Sequence, residues 1–300
     1  MEPAKLELMQ DLSEIVHYED TGIPLYIRTG DLSTYPGMSA PCHWHEDIEW
    51  IYVLEGRMCY HISGDRLVLE EQDVLMVNSR QMHYGYAYER QDCRFICILF
   101  HPSLFGSNTT LLQRYVTPIL DDKHLHYLHL PSERAAETAD LLLQMLRLRD
   151  GAAEGYELSA VALMYTLWDR LLQQRLLLPG PARPDMQDDS DTQKAMVSFL
   201  YQHYPEKLTL EQIAASGHVS RSKCCRIFKR YLGQSPIDFL NAYRLKVSCS
   251  LLARTDKRVT EIALACGFNH LSYFSKIFCE MYGCTPREYR EQTHKKAESP

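Results

Sequence analysis

The spacing of apolar residues changes twice along this chain. Between residues 24 and 101 they fall in short runs rich in Val, Ile, Tyr and Phe: LYIRT, IEWIYVL, RMCYHIS, DVLMVN and CRFICILF. Gly56, Gly64-Asp65 and Asn78-Ser79 punctuate these runs. Turn-bounded runs of this kind predict β-strands, and many short strands at close spacing favour a barrel or sandwich over an α/β fold. Past Pro131 the spacing becomes helical. Residues 132–149 and 154–178 read as two helices, with Ser132 placed to cap the first. The second carries Leu158, Val161, Met164, Tyr165, Leu167, Trp168, Leu171 and Leu172. That stripe is too wide for a simple surface helix. It predicts packing on the barrel or on another helix for most of its length, and a subunit seam for part of it. LPGPARPDMQDDSD (178–191) has the composition of an interdomain linker, and residues 192 to about 291 read as helical throughout.

This last segment repeats at a period near 50 residues. Ile213-Ala214 recurs as Ile262-Ala263, Ser222 as Ser272 and Arg226 as Lys276. Ile227-Phe228 recurs as Ile277-Phe278, Gly233 as Gly283 and Pro236 as Pro286. The offset slips from 49 to 50 within the turn, so the second copy holds one extra turn residue. Each copy reads as a short helix (209–216, 259–265), a turn with Gly217 or Gly267, and a second helix (221–231, 270–282). This is helix-turn-helix grammar, with Ser220 and Asn269 as expected N-caps and a helix over 236–253 joining the two. The exposed side of the second helices offers Arg221, Ser222, Lys223, Cys225, Arg226, Lys229 and Arg230, then His270, Leu271, Ser272, Ser275 and Lys276. Arg and Lys suit phosphate clamping and guanine readout, and Ser serves either role.

Charge sharpens this picture. The chain's net charge of −7 hides a split. Residues 1–191 carry 15 Lys and Arg against 30 Asp and Glu, whereas residues 192–296 carry 17 against 8. Only the back of the chain is suited to a polyanion. The N-terminus lacks an apolar signal core and no apolar run reaches a membrane span, so a cytoplasmic protein without membrane contact is expected. The ten cysteines show no compact metal spacing. Free, mostly buried thiols are the expectation for a reducing compartment.

The stretch KLTLEQIAASGHVSRSKCCRIFKRYLGQSPIDFLNAYRLKVSCSLLARTDKRVTEIALACGFNHLSYFSKIFCEMYGCTPREYR resembles the DNA-binding domain of the AraC/XylS transcription regulators. The strongest matches are IFKRYLGQSP, EIALACGFNHLSYFSKIF and GCTPREYR. The resemblance implies that the two second helices enter successive major-groove segments of double-stranded DNA, about one helical turn apart. Its base-facing positions fall on Ser222, Cys225 and Arg226 in unit one, and on Leu271, Ser272, Ser275 and Lys276 in unit two. Two departures from the family pattern stand out. Cys224 replaces a larger core residue, and Cys279-Glu280 replaces a basic pair. Unit one is therefore expected to be the main base reader, with Arg226 its best single contact.

The β region carries G-x5-H-x-H-x3-E-x6-G, formed by Gly37, His43, His45, Glu49 and Gly56, with His83 further on. On one continuous strand, residues 43, 45 and 49 would share a face. Two imidazoles, a carboxylate and a distant imidazole suit a divalent transition metal. The spacing resembles the cupin metal motif, although Asn78 and Arg80 stand where that pattern has Pro and Gly. AraC-like regulators often carry such a barrel as sensor, which implies an effector pocket lined by Arg28, His43, His45, Glu49 and His83. Tyr26, Tyr52 and Tyr60 are further candidates. Three readings stay open for the cluster: a metal-free, ligand-contacting remnant; a metal that helps hold an effector; and an active metal enzyme fused to a DNA-binding module.

The expected architecture is multidomain α+β. It comprises a cupin-like sensor (1–130), a helical connector suited to dimerisation (131–178), a linker (179–191) and an all-α DNA-binding domain with two helix-turn-helix units (192–292). The expected function is that of a non-enzymatic, sequence-specific transcription regulator or activator. It would be controlled by a small-molecule effector, act as a homodimer and contact RNA polymerase.

Overall fold

The computed structural model describes residues 6–9, 12–18, 22–106, 108–177 and 189–298. The chain divides between Asp188 and Asp189 into two compact units.

In unit one, eight strands form two antiparallel sheets. They are β1 (Leu25–Asp31), β2 (Ile48–Gly56), β3 (Met58–Ile62), β4 (Asp65–Leu69), β5 (Val74–Val77), β6 (His83–Ala87), β7 (Cys93–Phe100) and β8 (Tyr127–Leu130). One sheet has the order β1-β7-β2-β5-β8 and the other β4-β3-β6. The five runs read as strands from the sequence all form strands. The structure adds β4, β6 and β8.

Period-two alternation sorts the side chains of the large sheet. Ile51, Val53, Leu75, Val77, Cys93 and Phe95 face the small sheet and pack with Met58, Tyr60, Ile62 and Leu69. Ile48, Trp50, Tyr52, Ile96, Ile98 and Phe100 face the other way, towards helices. Burial on both faces explains why β2 and β7 read as near-continuous apolar runs. Tyr52, a candidate ligand contact on sequence grounds, therefore belongs to the helix-facing core and not to the barrel interior.

After β7 the chain makes short helical turns, α1 (Thr109–Leu111), a π-turn (Leu112–Val116) and α2 (Thr117–Leu120). The long helices α3 (Ser132–Gly151) and α4 (Tyr156–Leu177) follow. Ser132 is the first helical residue and not the cap; Pro131 holds the cap position. The Ser132 amide instead donates to Asp73 Oδ1 at 2.9 Å. Ala135, Ala139, Leu142 and Met145 of α3, with Ala160, Met164, Leu167, Trp168 and Leu171 of α4, share one core with the sheet. Most of the α4 stripe is thus satisfied within the unit.

Unit two is all-helical: α5 (Ser190–His203), α6 (Leu210–Ser216), α7 (Arg221–Leu232), α8 (Pro236–Arg254), α9 (Val259–Ala265), α10 (Leu271–Tyr282) and α11 (Pro286–Glu298). Most of the stretch read as linker lies outside the described residues. Its last residues do not: Asp189 is buried and α5 begins at Ser190, ahead of the expected boundary at 192. All ten cysteines are free and most are buried.

The start of α6 is closed by a capping box. Thr209 Oγ1 accepts from the Gln212 amide at 3.3 Å, and Gln212 Oε1 accepts from the Thr209 amide at 2.8 Å. Replacing Thr209 by Ala should destabilise unit two by about 1 kcal/mol, read as a shift of the denaturant midpoint at constant slope.

Candidate functional site

The two helix-turn-helix units superimpose in their hydrogen-bond pattern, which locates the extra residue. Val219 N donates to Ala214 O, as Phe268 N does to Ala263 O. Beyond the turn, Cys224 N donates to Ser220 O, as Phe274 N does to His270 O. The inserted residue is therefore Asn269. His270 takes the N-cap position expected of Asn269, and its side chain makes no capping bond. In unit one Ser220 caps as expected, with its hydroxyl accepting from the Lys223 amide at 3.3 Å. The left-handed turn residue is Gly267 in unit two (φ 84) but His218 in unit one (φ 54), not Gly217.

On α7 the buried residues are Cys224, Ile227, Phe228, Tyr231 and Leu232. Ser222, Arg226 and Lys229 lie on the opposite, exposed face, with Cys225 half-buried at its edge. Lys229 Nζ also donates to Gly233 O at 3.1 Å, and half-buried Arg230 lies 5.0 Å over the Tyr231 ring. The other two basic candidates are engaged away from this face. Arg221 pairs with Glu211 at 2.6 Å on the surface, and half-buried Lys223 turns to Asp189 at 2.9 Å. Lys223 therefore lies off the face that Ser222 and Arg226 share. On α10, His270, Leu271, Ser272 and Lys276 are exposed and Ser275 is half-buried. Glu280 stands 3.9 Å from the Lys276 amine, so this face is less basic. Tyr273, which sequence reasoning passed over, is also exposed and accepts from Asn241 Nδ2 of α8 at 3.1 Å.

In the barrel the histidines converge, though not as one strand would place them. His43 and His45 lie before β2, separated from Glu49 by a bend at Glu46-Asp47. His43 instead bridges to His83, amide to carbonyl in both directions, at 3.1 and 2.9 Å. This brings together three rings whose centroids are 4.4–5.6 Å apart. Their ligand nitrogens all lie within 4.8 Å of one another. The motif glycines have backbone roles: Gly37 and Gly56 take φ of 67 and 78°. A Cβ on Gly56 would stand 2.7 Å from Asp92 O. Arg80 adopts φ 63 where the cupin pattern has Gly, and Asn78 clamps the carbonyls of Ile119 and Leu125 at 2.8 and 2.9 Å.

Each of the three rings is pinned from behind. His43 Nδ1 donates to Pro41 O (2.8 Å), His45 Nδ1 to Asp47 O (2.9 Å) and His83 Nδ1 to Gln81 O (2.7 Å). A carbonyl can only accept, so the proton is on Nδ1 and Nε2 is left pointing inward. Burial and the neighbouring rings hold His43 well below the ordinary histidine range. Burial and His83 bring His45 down to about 4. His43 and His45 are therefore neutral, the form that ligates metals. Nε2 of His45 and of His83 are buried without hydrogen-bond partners among the described residues.

Glu49 accepts from Tyr60 Oη at 2.9 Å and from the Cys97 thiol at 3.5 Å, and stands 3.0 Å from His83 Nε2. Burial works against its charge, but the His83 contact outweighs this and holds it below the usual carboxylate range. Donor type, tautomer and orphaned nitrogens together fit a divalent transition metal.

His43 and Glu49 also line a cavity of about 90 Å³ with Tyr26, Arg28, Tyr35 and Tyr60. Arg28 is exposed at its mouth, its guanidinium 5.9 Å from the Tyr26 ring centre. One wall residue had no signal in the sequence. Glu14 brings its carboxylate within 3.4 Å of His43 Nε2. Burial, with Glu49 and Asp47 nearby, pushes this carboxyl up to about 8.

A sheet-rich unit with an internal cavity, joined to a unit with paired helix-turn-helix motifs, defines a transcription regulator with a ligand-binding domain. Comparison with known proteins agrees. Residues 29–168 match the AraC-like ligand binding domain family, and residues 213–292 match a helix-turn-helix domain family. The chain is 29% identical over 284 residues to the uncharacterised HTH-type transcriptional regulator YdeC of Bacillus subtilis, covering 94% of this chain and 97% of YdeC. It is 26% identical over 261 residues to the HTH-type transcriptional activator RhaS of Salmonella arizonae, covering 85% and 89%. Among solved structures, ToxT of Vibrio cholerae with a bound unsaturated fatty acid aligns over 92% of this chain and 97% of its own, at 12% identity and a TM-score of 0.45. The chain thus carries an AraC-like ligand-binding domain and a helix-turn-helix domain, the two parts of an AraC-type transcription regulator. Its relatives are regulators by name, and the enzyme alternative finds no support.

Proposed function

We propose that this regulator reads DNA chiefly through unit one of its C-terminal domain and takes its effector in the barrel cavity. The observation that carries this reading is the asymmetry of the two second helices. Ser222, Arg226 and Lys229 form an open basic face on α7, whereas Leu271, Ser272 and Lys276 share theirs with Glu280. Among the described residues Arg226 has no ion-pair or hydrogen-bond partner, so its guanidinium is available for bidentate contact with guanine. Lys229 and His270 contact phosphate, and Ser275 and Cys225 line the edges of the two faces. Arg221 holds the start of α6 through Glu211, and Lys223 orients the start of α5 through Asp189.

In the barrel, His43, His45 and His83, with Glu49 beside them, hold a divalent transition metal. Such an ion supplies a Lewis-acidic anchor for an anionic effector group, while Arg28 offers a second positive contact at the mouth. The reading extends to a cytoplasmic homodimer that activates transcription through RNA polymerase. A dimer seam has a candidate on α4, where Leu158 is 78% exposed and Tyr165 lies exposed two turns on.

Replacing Arg226 by Ala tests the reading directly. Operator affinity should fall by roughly 1–3 kcal/mol, with relaxed preference at one base pair. Replacing Lys229 by Ala should weaken all sequences alike and reduce the salt slope by about one. Binding measured on a set of single-base operator variants separates the two. Unchanged affinity and unchanged preference for Arg226→Ala would remove it from the reading role.

A further inference from the structure

At the start of α7 two cations meet two carboxylates, and the two pairs differ in kind. Arg221 and Glu211 meet on the surface with both side chains exposed. Water and salt screen such a pair, and it opens at little cost. Lys223 and Asp189 meet at 2.9 Å with side chains only 23% and 12% exposed. The Asp189 backbone is also fixed. Its amide donates to Oη of Tyr231, on the buried side of α7, at 3.2 Å, and its carbonyl accepts from the Gln193 amide at 2.8 Å in the first turn of α5. The carboxylate makes no capping bond to α5. The backbone thus holds the residue in place, and its charge is directed at Lys223.

The second helix-turn-helix shows that the fold does not need a charge at this position. The repeat and the hydrogen-bond register both make Tyr273 the counterpart of Lys223. Tyr273 Oη accepts from Asn241 Nδ2 at 3.1 Å, a neutral contact from α8, which precedes the second helix-turn-helix as α5 precedes the first. The flank of the reading helix is tied back in both repeats, by hydroxyl and amide in one and by an ion pair in the other.

The ion pair has a competitor in DNA. A helix with its side chains is about 10–12 Å across, and the major groove is about 12 Å wide. A helix lying in that groove turns its flanks to the two phosphate walls. Lys223 follows Ser222 by about 100° around α7, so it stands on a flank while Ser222 and Arg226 face the bases. A phosphate oxygen offers the lysine amine the same charge-assisted contact as a carboxylate oxygen. The flexible four-carbon stem lets the amine swing from one to the other.

We infer that Asp189 is an internal competitor of the DNA backbone for Lys223, so that the residue at which the chain enters the DNA-binding unit sets how tightly that unit binds. This rests on the reading of α7 given above. In the free protein Lys223 sits in the ion pair; on DNA it sits on a phosphate and Asp189 loses its partner. Affinity is lowered by the free energy of the pair, and a shift of Asp189 away from α7 raises it by linkage. Asp189 is the first residue of its unit, so it is also the residue through which the preceding chain acts on α7.

The test measures equilibrium binding of the full-length protein to two duplexes, one recovered by selection from random DNA and one unselected, over about 50–200 mM salt. Asp189→Asn keeps the side chain's size and the backbone contacts, and should tighten binding to both duplexes by about three- to tenfold. Asp189→Ser, which suits a helix N-cap, repeats the measurement should the Asn variant fail to fold. Asp191→Asn makes the same charge change at an exposed position of α5 and should alter affinity by less than about twofold. Lys223→Gln should weaken binding to both duplexes and lower the slope of log affinity against log salt by about one. In the Lys223→Gln background, Asp189→Asn should add nothing beyond the Asp191→Asn effect. Affinity of Asp189→Asn at or below wild type, or an unchanged salt slope in Lys223→Gln, would overturn the proposal. Arg226→Ala in the same assay keeps that failure apart from failure of the α7 reading. Lost operator preference in Arg226→Ala beside an unchanged slope in Lys223→Gln removes Asp189 as competitor and leaves α7 as reader, whereas unchanged affinity and preference in Arg226→Ala removes both.

Discussion

Gly267→Ala is expected to destabilise unit two by roughly 2–5 kcal/mol and to abolish operator binding at temperatures where the wild type still binds. Two effects add. The backbone at Gly267 has φ 84, a conformation that L side chains rarely adopt. A Cβ there would also stand 2.6 Å from Tyr204 O and 2.8 Å from Pro205 O, both backbone atoms that cannot swing aside. Arg244 on α8 already bridges this corner, donating to Tyr204 O at 2.7 Å and to Glu206 O at 2.6 Å. The half-turn after α5, the helix joining the two DNA-reading units and the turn of unit two therefore meet at one point. Pushing the carbonyls away from Gly267 also lengthens the bonds of Arg244, a residue only 8% exposed. For a domain of this size the loss corresponds to a fall in Tm on the order of 10–20 °C. Calorimetry of the full chain would read it as a shift of one transition, with the barrel's left in place. His218→Gly, at the equivalent turn position of unit one, should be neutral or slightly stabilising, since it relieves a left-handed φ of 54. A Gly267→Ala variant melting with wild type would show that the corner yields without cost.

The repeat made that corner only partly visible. Matching Ile213-Ala214 to Ile262-Ala263 predicted two equivalent units and a one-residue slip in the turn. The sequence could not place the slip, because Asn269 is a good cap by residue type and His270 is a poor one. Hydrogen-bond register decides it, and register is a property of the assembled turn. The same limit applies to Lys223. Its position on α7 is compatible with an exposed face, but the nearby Asp189 that turns it inward comes from a stretch whose composition reads as linker. Local pattern reports what a residue prefers, and tertiary neighbours determine which preference is met.

In the barrel, the alternation of His43, His45 and Glu49 led to a correct grouping from an incorrect picture. The three share a side, yet a bend separates the histidines from β2, and it is the bridge to His83 that closes the cluster. β6 was missed because HYGYA contains Gly85 and lacks an apolar run; its strand geometry comes from pairing with β3. Glu14 carried no signal at all. A carboxylate in a polar N-terminal stretch is ordinary in one dimension, and only its pairing to Trp44 gives it a place. Tyr52 shows the converse. It belongs to the same strand as Glu49 but, three residues on, faces the opposite side of the sheet, where the helices cover it.

Those helices are held by Trp168, and Trp168→Ala should cost unit one about 4–6 kcal/mol, of which roughly 3–5 comes from the lost ring and the cavity left behind. The indole is 3% exposed and meets Phe105 at 4.9 Å and Phe100 at 6.3 Å between ring centres. Its Nε1 also donates to Tyr115 O at 3.0 Å, so truncation leaves a carbonyl without its donor, at about 1 kcal/mol or more. Trp168→Phe keeps most of the packing and loses that bond, and should fall between alanine and wild type. The effect should reach the effector cavity, because Phe100 is adjacent in β7 to Leu99, which lines the cavity from the other face of the strand. A single sheet one strand thick separates the helix core from the binding site. Loosening its outer side frees the inner wall, so Trp168→Ala should weaken Co²⁺ or effector binding even well below its own melting temperature. Trp168→Phe restores ring volume and should recover that binding, whereas Leu158→Ala, on the exposed side of α4, should change neither stability nor binding. If Trp168→Ala lowered Tm while leaving Co²⁺ affinity at the wild-type value, the two faces of the sheet would be mechanically independent, and the helices would contribute stability without shaping the sensor.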